Sequence, residues 1–273
     1  MPIYGVSHFM GTSWRIRDPP GGFIKELAFT RNLPEDYILP LPETSRRIFT
    51  GQRMPTFELT PRNKVKRLAE RGKYDKATIY PIVDEAFICH VGFVQDGQPF
   101  VIPTIHARHE DTIFFHGAKA SRLLKHIEAG HSLCVTITLL DGLVMARSVF
   151  HHSMNYRAAV LYGRGQVIEE PAEKLAALRT VSEAIMPGRW DDARQPTRKE
   201  LKATTVVAMP IESASAKTRS GPPGDDDEDY ALPVWAGVVP IRQLIEPPIA
   251  DPLLNEGITV PDYMADFVNG LKP

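Results

Sequence analysis

The sequence predicts a mainly β fold with flanking helices, a β+α class built on an antiparallel barrel of six or seven strands. From residue 87 onwards, short runs rich in β-branched and aromatic residues follow one another, and turn dipeptides separate them. Helical patterns occur only twice among these runs, and the chain contains no GxGxxG motif. A series of βαβ units is therefore excluded, and hairpin-linked strands are favoured.

The distribution of proline predicts the domain limits. Of the 24 prolines, eight lie in residues 1–62 and nine in residues 213–273, whereas the 150 residues between them hold seven. Because proline fixes φ and removes an N–H donor, the flanks cannot form long helices or central strands. We predict a proline-rich N-terminal extension over 1–62, a compact domain over 63–245 and a C-terminal tail over 246–273.

Composition excludes several function classes. Lys and Arg total 32 against 33 for Asp and Glu, which argues against a nucleic-acid binder. Residues 1–20 lack the pattern of a signal peptide, and no window approaches 18 apolar residues, so no membrane association is predicted. Cys89 and Cys134 lie in apolar runs without CxxC spacing, which favours two buried thiols over one disulfide. We expect a cytoplasmic protein.

The first elements of the domain are a helix and three strands. Thr60 can cap a helix, Pro61 suits its first position and Gly72 can end it, so we expect a helix over 60–72. Turns are expected at Asp96-Gly97 and at Glu110-Asp111. The elements around these turns are strands at 87–95, 99–108 and 112–117, followed by a helix at 120–129.

The second half continues with hairpins and one long helix. Asp141-Gly142 predicts a turn, Asn155 predicts a break, and Pro171 and Pro187 predict the two ends of a helix. The strands expected around these positions are 131–140, 143–151, 156–169, 204–211 and 233–240. The GPPG and DDDED runs predict a mobile loop over 214–231, a candidate lid.

The usual catalytic and metal-binding motifs are missing from the sequence. Eight histidines fall between His90 and His152, but none forms an HExxH pair or has cysteine companions, so no metal site is predicted. Haem ligation stays open, because a lone axial histidine leaves no sequence pattern. The chain contains no GxSxG elbow, and both cysteines lie in apolar runs, which disfavours a serine or cysteine nucleophile.

The segment 113–127 carries the clearest chemical pattern. A predicted strand ends at His116-Gly117, and a helix begins near Ala120. A helix start exposes N–H groups that bind phosphate. Cations and a hydroxyl cluster at this end, supplied by Lys119, Ser121, Arg122 and Lys125. The alternative interpretation is a basic surface helix.

Several segments carry a further pattern in their order and spacing. They are DEAFICHVGFVQDGQPFVIPT, HGAKASRLLKHI, CVTITLLDGLVMARSVFHHSMNYRAAVLYGRG and, more distantly, AKTRSGPP with LPVWAGVVP. Over about residues 80–240 the chain resembles the FMN-binding split-barrel proteins related to pyridoxamine 5′-phosphate oxidase. It is more closely similar to the flavin-nucleotide-binding branch that includes nitroimidazole-resistance proteins. The resemblance implies a six- or seven-stranded antiparallel FMN-binding split barrel, FMN as cofactor, and a homodimer with the flavin between subunits.

The resemblance also implies a set of cofactor-binding residues. A barrel strand would hold the flavin largely through its main chain, a strand end would contact the flavin or its ribityl chain, and a Ser-Arg pair would bind the phosphate. In that order these residues are Pro103, Thr104, Ile105 and His106, then Phe115 and His116, then Ser121 and Arg122. Arg147 and Ser148 would face the cofactor from the same or the partner chain.

The chain departs from the oxidase at several of its cofactor contacts. Leu123 stands where the oxidase has a lysine, so Lys119 or Lys125 would have to supply the second cation. Ala158 stands where a glutamine reaches the flavin. Trp235 is either an aromatic residue near the flavin or a core residue.

The resemblance implies an FMN-dependent oxidoreductase that reduces a small organic substrate with a nicotinamide donor. The substrate-binding C-terminal segment of the oxidase is not recognisable, so oxidation of pyridoxamine phosphate is not expected. His116 is the candidate catalytic residue, which would hold or protonate a substrate, with a structural histidine as the alternative. A non-catalytic flavin-binding or regulatory module, and a haem- or deazaflavin-binding relative on the same fold, remain alternative functions.

Overall fold

The structure, a computed structural model, describes residues 56–270 and leaves 1–55 and 271–273 outside the described part. Almost all of the predicted N-terminal extension lies outside it, and the predicted domain limits stay a prediction. The α-helices of the described part are α1 Lys76–Glu85, α2 Arg122–Glu128, α3 Pro171–Ile185, α4 Arg189–Asp192, α5 Arg198–Ala203 and α6 Asp262–Gly270. Its strands are β1 Gly72–Lys73, β2 Ile88–Gln95, β3 Gln98–Ile105, β4 Ala107–His109, β5 Thr112–Ala118, β6 Ser132–Met145, β7 Ser153–Arg164, β8 Gln166–Val167, β9 Thr204–Pro210, β10 Ser213–Arg219 and β11 Gly237–Pro240.

The strands form two antiparallel sheets. The larger sheet has the order β1-β10-β7-β6-β2-β3, with β11 paired to β6, and the smaller one has the order β4-β5-β9-β8. The chain passes from the larger to the smaller sheet at His106 and at Gly165, and it returns through α2 and through residues 211–212. The predicted β+α class with antiparallel strands is confirmed.

Two apolar clusters hold the sheets and helices together. The main cluster lies between the two sheets and includes Ile79 from α1, Leu124 from α2 and Ile137 from β6, all buried. The second cluster places Val181 of α3 against Phe114 of β5. Helix α3 begins at Pro171 and ends before Pro187, as its sequence pattern predicts.

The helix predicted over 60–72 is wrong. The side chain of Asn63 accepts a hydrogen bond from the Thr60 N–H at 2.8 Å and donates one to the Ala214 carbonyl at 3.1 Å, so it fixes a turn against β10. Leu68 then takes a φ of 53°, which no continuous right-handed helix allows. A single turn of 3₁₀ helix, Ala69–Arg71, is what forms.

The turn predicted at Asp141-Gly142 is also wrong, because β6 runs through it with only a register shift. Strand β11 packs closely there, and a Cβ on Gly142 would lie 3.0 Å from the Val239 carbonyl oxygen. Glycine therefore permits a close backbone approach at this point. Strand β6 ends at Met145, so the predicted strand over 143–151 is too long.

The predicted loop over 214–231 is wrong in its first part. Residues 213–219 form β10, which pairs with β7 along its whole length, and the predicted strand over 233–240 shrinks to β11. Asn155 lies inside β7 and does not break it, because its side chain donates to the Gly221 carbonyl and accepts from Arg219.

The C-terminal tail contains an unexpected helix, α6. Tyr263 of α6 donates a hydrogen bond to Asp192 at 2.7 Å and packs against Gly188. None of the helices over residues 56–270 is long and apolar enough to cross a membrane. Cys89 and Cys134 are free thiols, as predicted, but only Cys89 is buried, whereas Cys134 is half-buried.

Candidate functional site

Strand β3 is a free edge of the larger sheet over the described residues. Pro99 and Pro103 lack N–H groups and cannot donate to β2, so the main chain at the odd-numbered positions faces away from β2. The N–H groups of Val101 and Ile105 and the carbonyl of Pro103 therefore point away from β2, and they have no backbone partner among the described residues. These groups can bond to a planar ligand through the main chain, in the way the resemblance implies for residues 103–106.

The side chains of β3 alternate between two environments. Val101, Pro103 and Ile105 are exposed, whereas Phe100 and Thr104 are half-buried on the opposite side of the strand. Phe100 and Thr104 are four residues apart, about 13 Å along a strand. A ligand along the free edge of β3 would reach from Thr104 to Phe100, whose ring packs against the main apolar cluster.

The start of α2 meets β3 at Phe100. The guanidinium of Arg122 lies 4.1 Å from the centre of the Phe100 ring. The hydroxyl of Ser121, at the N-cap position, caps no backbone N–H of the helix. Lys119 and Lys125 are exposed on the same segment. Hydroxyl and cations thus gather at one end of the β3 surface, as the sequence pattern predicts.

His116 lies near the end of β5, half-buried. Its Nδ1 is buried and has no hydrogen-bond partner among the described residues. Burial lowers the pKa of His116, so its ring is neutral at pH 7. A neutral imidazole with one unpaired nitrogen can donate to or accept from a bound molecule.

Two of the predicted residues can offer a ligand only their main chain. His106 is 3% exposed, and its Nε2 lies 2.9 Å from the Val83 carbonyl oxygen in the core. Phe115 is 1% exposed and belongs to the main apolar cluster. Both side chains pack in the core, so these residues would contact the predicted cofactor through their main chain.

Arg147 and Ser148 are engaged away from β3. The Arg147 Nη1 lies 3.0 Å from a carboxylate oxygen of Asp225, and the backbone N–H groups of both residues donate to the other oxygen. Burial opposes ionisation of Asp225, but the Ser148 N–H and the Arg147 guanidinium outweigh it and hold its pKa below the usual range. Eleven residues of β6 and its end, about 36 Å of extended chain, separate Arg147 from Thr136, which lies beside the β2–β3 hairpin. The described side-chain contacts of this pair are with Asp225, Phe150 and Tyr230 of the same chain.

The remaining aromatic residue of the predicted set is not in the core. Trp235 is 67% exposed, so the core alternative is wrong. Ala158 is half-buried in the middle of β7 and offers no polar side chain.

His90 is a candidate that sequence reasoning did not single out. It pairs directly with Pro103 across the β2–β3 ladder, and its side chain is exposed. Exposed Ile88, Val101 and Ile105 lie on the same face of these strands. The alternation of ICHVGFV places His90 on the outer face, and that period of two could have identified it.

One group of possible metal ligands is present among the described residues. The ligand atoms of His151, Asp226 and Asp229 lie within 4.8 Å of one another. Asp226 is exposed and its carboxylate lies 3.2 Å from His151 Nε2, which is the geometry of an ordinary surface ion pair.

The fold defines a class: an antiparallel split-barrel protein in which β3 is an unpaired edge strand over the described residues. Residues 75–218 match the model of the family described as pyridoxamine 5′-phosphate oxidase. The chain belongs to this family of flavin-binding split-barrel proteins, and the resemblance stated from the sequence is confirmed. No curated protein sequence matches the chain significantly.

Solved structures provide closer relatives. The flavocytochrome Anf3 of Azotobacter vinelandii is 40% identical, with a TM-score of 0.73, over 76% of this chain and 96% of its own. The FAD and heme binding protein of Mycobacterium smegmatis is 33% identical, with a TM-score of 0.69, over 74% of this chain and 97% of its own. A candidate 5-nitroimidazole antibiotic resistance protein of Bacteroides thetaiotaomicron is 23% identical, with a TM-score of 0.46, over 52% of this chain and 83% of its own.

Proposed function

We propose that this protein is a flavin-dependent oxidoreductase whose flavin lies along β3, with its phosphate at Ser121 and Arg122. The observation that carries the proposal is the meeting of the free β3 edge with Arg122, 4.1 Å from Phe100, in a chain of a flavin-binding family. Both close relatives have names that include a flavin. Because these two relatives align over 76% and 74% of this chain, we infer that redox chemistry is the function that best fits the site.

The residues present fit a flavin nucleotide. The unpaired main-chain groups of Val101 and Ile105 can bond to the polar edge of the ring, as an edge strand bonds to any extended partner. The unpartnered Nδ1 of His116 lies at a strand end that the family places beside the cofactor. Arg122 is exposed and its guanidinium forms no ion pair among the described residues, so it can bond to phosphate oxygens in a bidentate way.

The cofactor we propose is FMN, which needs one phosphate site. Ser121, Arg122 and the neighbouring Lys119 and Lys125 supply one such site. FAD is the alternative that the Mycobacterium smegmatis relative supports. Chromatography of the flavin released by denaturation distinguishes the two.

A bound flavin would supply hydride or single-electron transfer, with a nicotinamide as the proposed donor. The chain's own residues bind and orient: β3 fixes the ring plane and Arg122 fixes the phosphate. His116, neutral at pH 7, holds a hydrogen bond to substrate or passes a proton from one ring nitrogen. Phe100 and Thr104 are half-buried, and they would shield one side of the bound ring from water.

We propose that the protein works as a homodimer. Five apolar side chains on strands β2, β3 and β6 expose between 36% and 65% of their surface. They are Ile88, Val94, Val101, Ile105 and Leu140. A contiguous apolar sheet face of this kind marks an interaction surface. A second copy packed on this face would cover it, and Arg147 of that copy is the group we propose to approach the flavin.

A haem-binding protein is the second candidate function, because both close relatives are described as a flavocytochrome or as heme binding. The residue that fits an axial ligand is His90, whose exposed ring lies among Ile88, Val101 and Ile105. An imidazole on an apolar surface suits a flat apolar porphyrin. A Soret band that His90→Ala removes while leaving the flavin bands in place would support this assignment.

The test of the main proposal is the absorption spectrum of the purified protein, followed by anaerobic addition of NADH or NADPH. Oxidised-flavin bands that the donor bleaches are expected. Bands that no donor bleaches favour a flavin-binding module without turnover. A colourless protein that takes up neither FMN nor FAD on titration would refute the proposal.

A further inference from the structure

A polar cavity lies apart from the flavin residues. It occupies about 640 Å³ where the start of β7 meets the end of β10, beside the turn Ala69–Arg71. This volume is in the range of small-molecule sites. None of the residues assigned to the flavin lines the cavity.

The lining of the cavity is positively charged. Arg71, Lys73 and Arg219 line it, and Glu70 is the carboxylate among the described lining residues. Glu70 is a weak counterion, since its oxygen lies 3.9 Å from the Arg71 Nε. Three cations therefore surround one cavity with one loosely placed acid.

Arg219 forms no ion pair with an acid among residues 56–270. Its guanidinium donates to the Asn155 side-chain oxygen, to the Gly221 carbonyl at 3.3 Å and to the Pro222 carbonyl at 3.0 Å, all uncharged acceptors. Burial, and the nearby charge of Arg71, lower the pKa of Arg219. An anion bound between Arg71 and Arg219 would reduce the repulsion between their charges.

An aromatic ring stands at the same cavity. Phe150 is 88% exposed and packs edge-on against His151, with 5.2 Å between ring centres. The Nε2 of His151 lies 3.2 Å from the carboxylate of Asp226, so this acid contacts the histidine. An exposed phenyl face beside a cationic cavity suits a ligand with both a flat ring and an anionic group.

We propose that this cavity binds the diphosphate group of a nucleotide, with its base stacked on Phe150. Arg71 and Lys73 contact the phosphate oxygens, and Arg219 supplies charge while it holds the loop over Gly221. The lining of the cavity shares no residue with the flavin contacts proposed above.

Binding of ADP, measured by calorimetric titration of the full-length protein, tests the proposal. The double variant Arg71→Gln/Lys73→Gln is expected to bind ADP at least tenfold more weakly than the wild type. Lys199→Gln/Lys202→Gln, which removes the same charge from exposed positions of α5, is the matched control and is expected to change affinity less than twofold. No saturable binding by the wild type, or an equal loss in both double variants, would overturn the proposal.

Inorganic pyrophosphate tests the role of the base. ADP is expected to bind several-fold more tightly than pyrophosphate, and Phe150→Ser to remove that difference. Equal affinities in the wild type would overturn the stacking.

Repeating the ADP titration with saturating FAD separates two sources of the nucleotide: loss of ADP binding assigns the cavity to the adenylate of FAD, and retained binding assigns it to a free nucleotide. The first titration remains decisive even if the protein binds no flavin.

Discussion

Replacement of Arg122 by alanine gives the sharpest test of the flavin site. A hydrogen bond to a charged group contributes about 1.5–3 kcal/mol. At about 1.4 kcal/mol per tenfold change, Arg122→Ala should weaken FMN binding about 10- to 150-fold. The folded protein should change little, because the described contact of the guanidinium is an exposed one with the Phe100 ring at 4.1 Å, worth about 0.5–1 kcal/mol.

Two measurements on the same samples separate binding from folding. FMN is titrated into the apoprotein and followed by quenching of flavin fluorescence, and thermal unfolding is recorded without flavin. Arg198→Ala removes an exposed arginine at the start of α5, away from the site, and controls for net charge. If Arg122→Ala and Arg198→Ala bind FMN equally well, the phosphate does not lie at Ser121 and Arg122.

Three further changes have defined outcomes. Because burial holds the pKa of His116 below its unfolded value near 6.5, the unfolded state gains its proton first, so the free energy of unfolding should fall as the pH drops below 6.5; His116→Gln should flatten this fall in urea titrations at several pH values. An alanine Cβ at Gly163 would lie 2.1 Å from a carbonyl oxygen of β9, so Gly163→Ala should cost about 2 kcal/mol or more in the same titrations, whereas Gly224→Ala, with open space around it, should cost little; equal costs would contradict the packing. A charge on the open sheet face should split the proposed homodimer, so Val101→Asp should elute as a folded monomer in size-exclusion chromatography with light scattering, and an unchanged mass would argue against that interface.

Local patterns predicted those elements that local interactions decide. Asp96 and Gly97 have φ angles of 52° and 75°, the left-handed pair of a two-residue hairpin, which the dipeptide indicates directly. Helix α3 follows from Pro171 and its apolar period. Helix α1 was missed because Pro81 lies inside it, and burial of Ile79 and Val83 outweighs the cost of the proline.

Elements decided by distant contacts could not be predicted in the same way. Asp141-Gly142 has turn chemistry, but pairing with β11, about a hundred residues later, keeps the strand extended. The SASAKTR segment is polar and small, and it becomes a strand because β7 offers it a complete ladder. In both cases the partner strand, which the segment itself does not encode, decides the conformation.

The same distinction between local and distant contacts explains which parts of the candidate site could be predicted. Ser121, Arg122 and His116 are neighbours along the chain, so one short segment reveals them. The partner of Arg147 is Asp225, 78 positions further on, and nothing near Arg147 indicates that its charge is already balanced. The environment of His106 depends on the Val83 carbonyl in α1, a helix that the sequence did not predict.

The two prolines of β3 also bear on how this sheet edge meets other chains. A bare sheet edge is a template for runaway strand-to-strand association between chains. Pro99 and Pro103 have no N–H group, so every second outward position of this edge lacks a hydrogen-bond donor. A strand from another chain that paired here would leave half of its facing carbonyl groups without a hydrogen bond. A small flat molecule needs only one or two of the remaining donors. The edge therefore favours a short ligand over a long strand, because only the long strand loses many hydrogen bonds at the prolines.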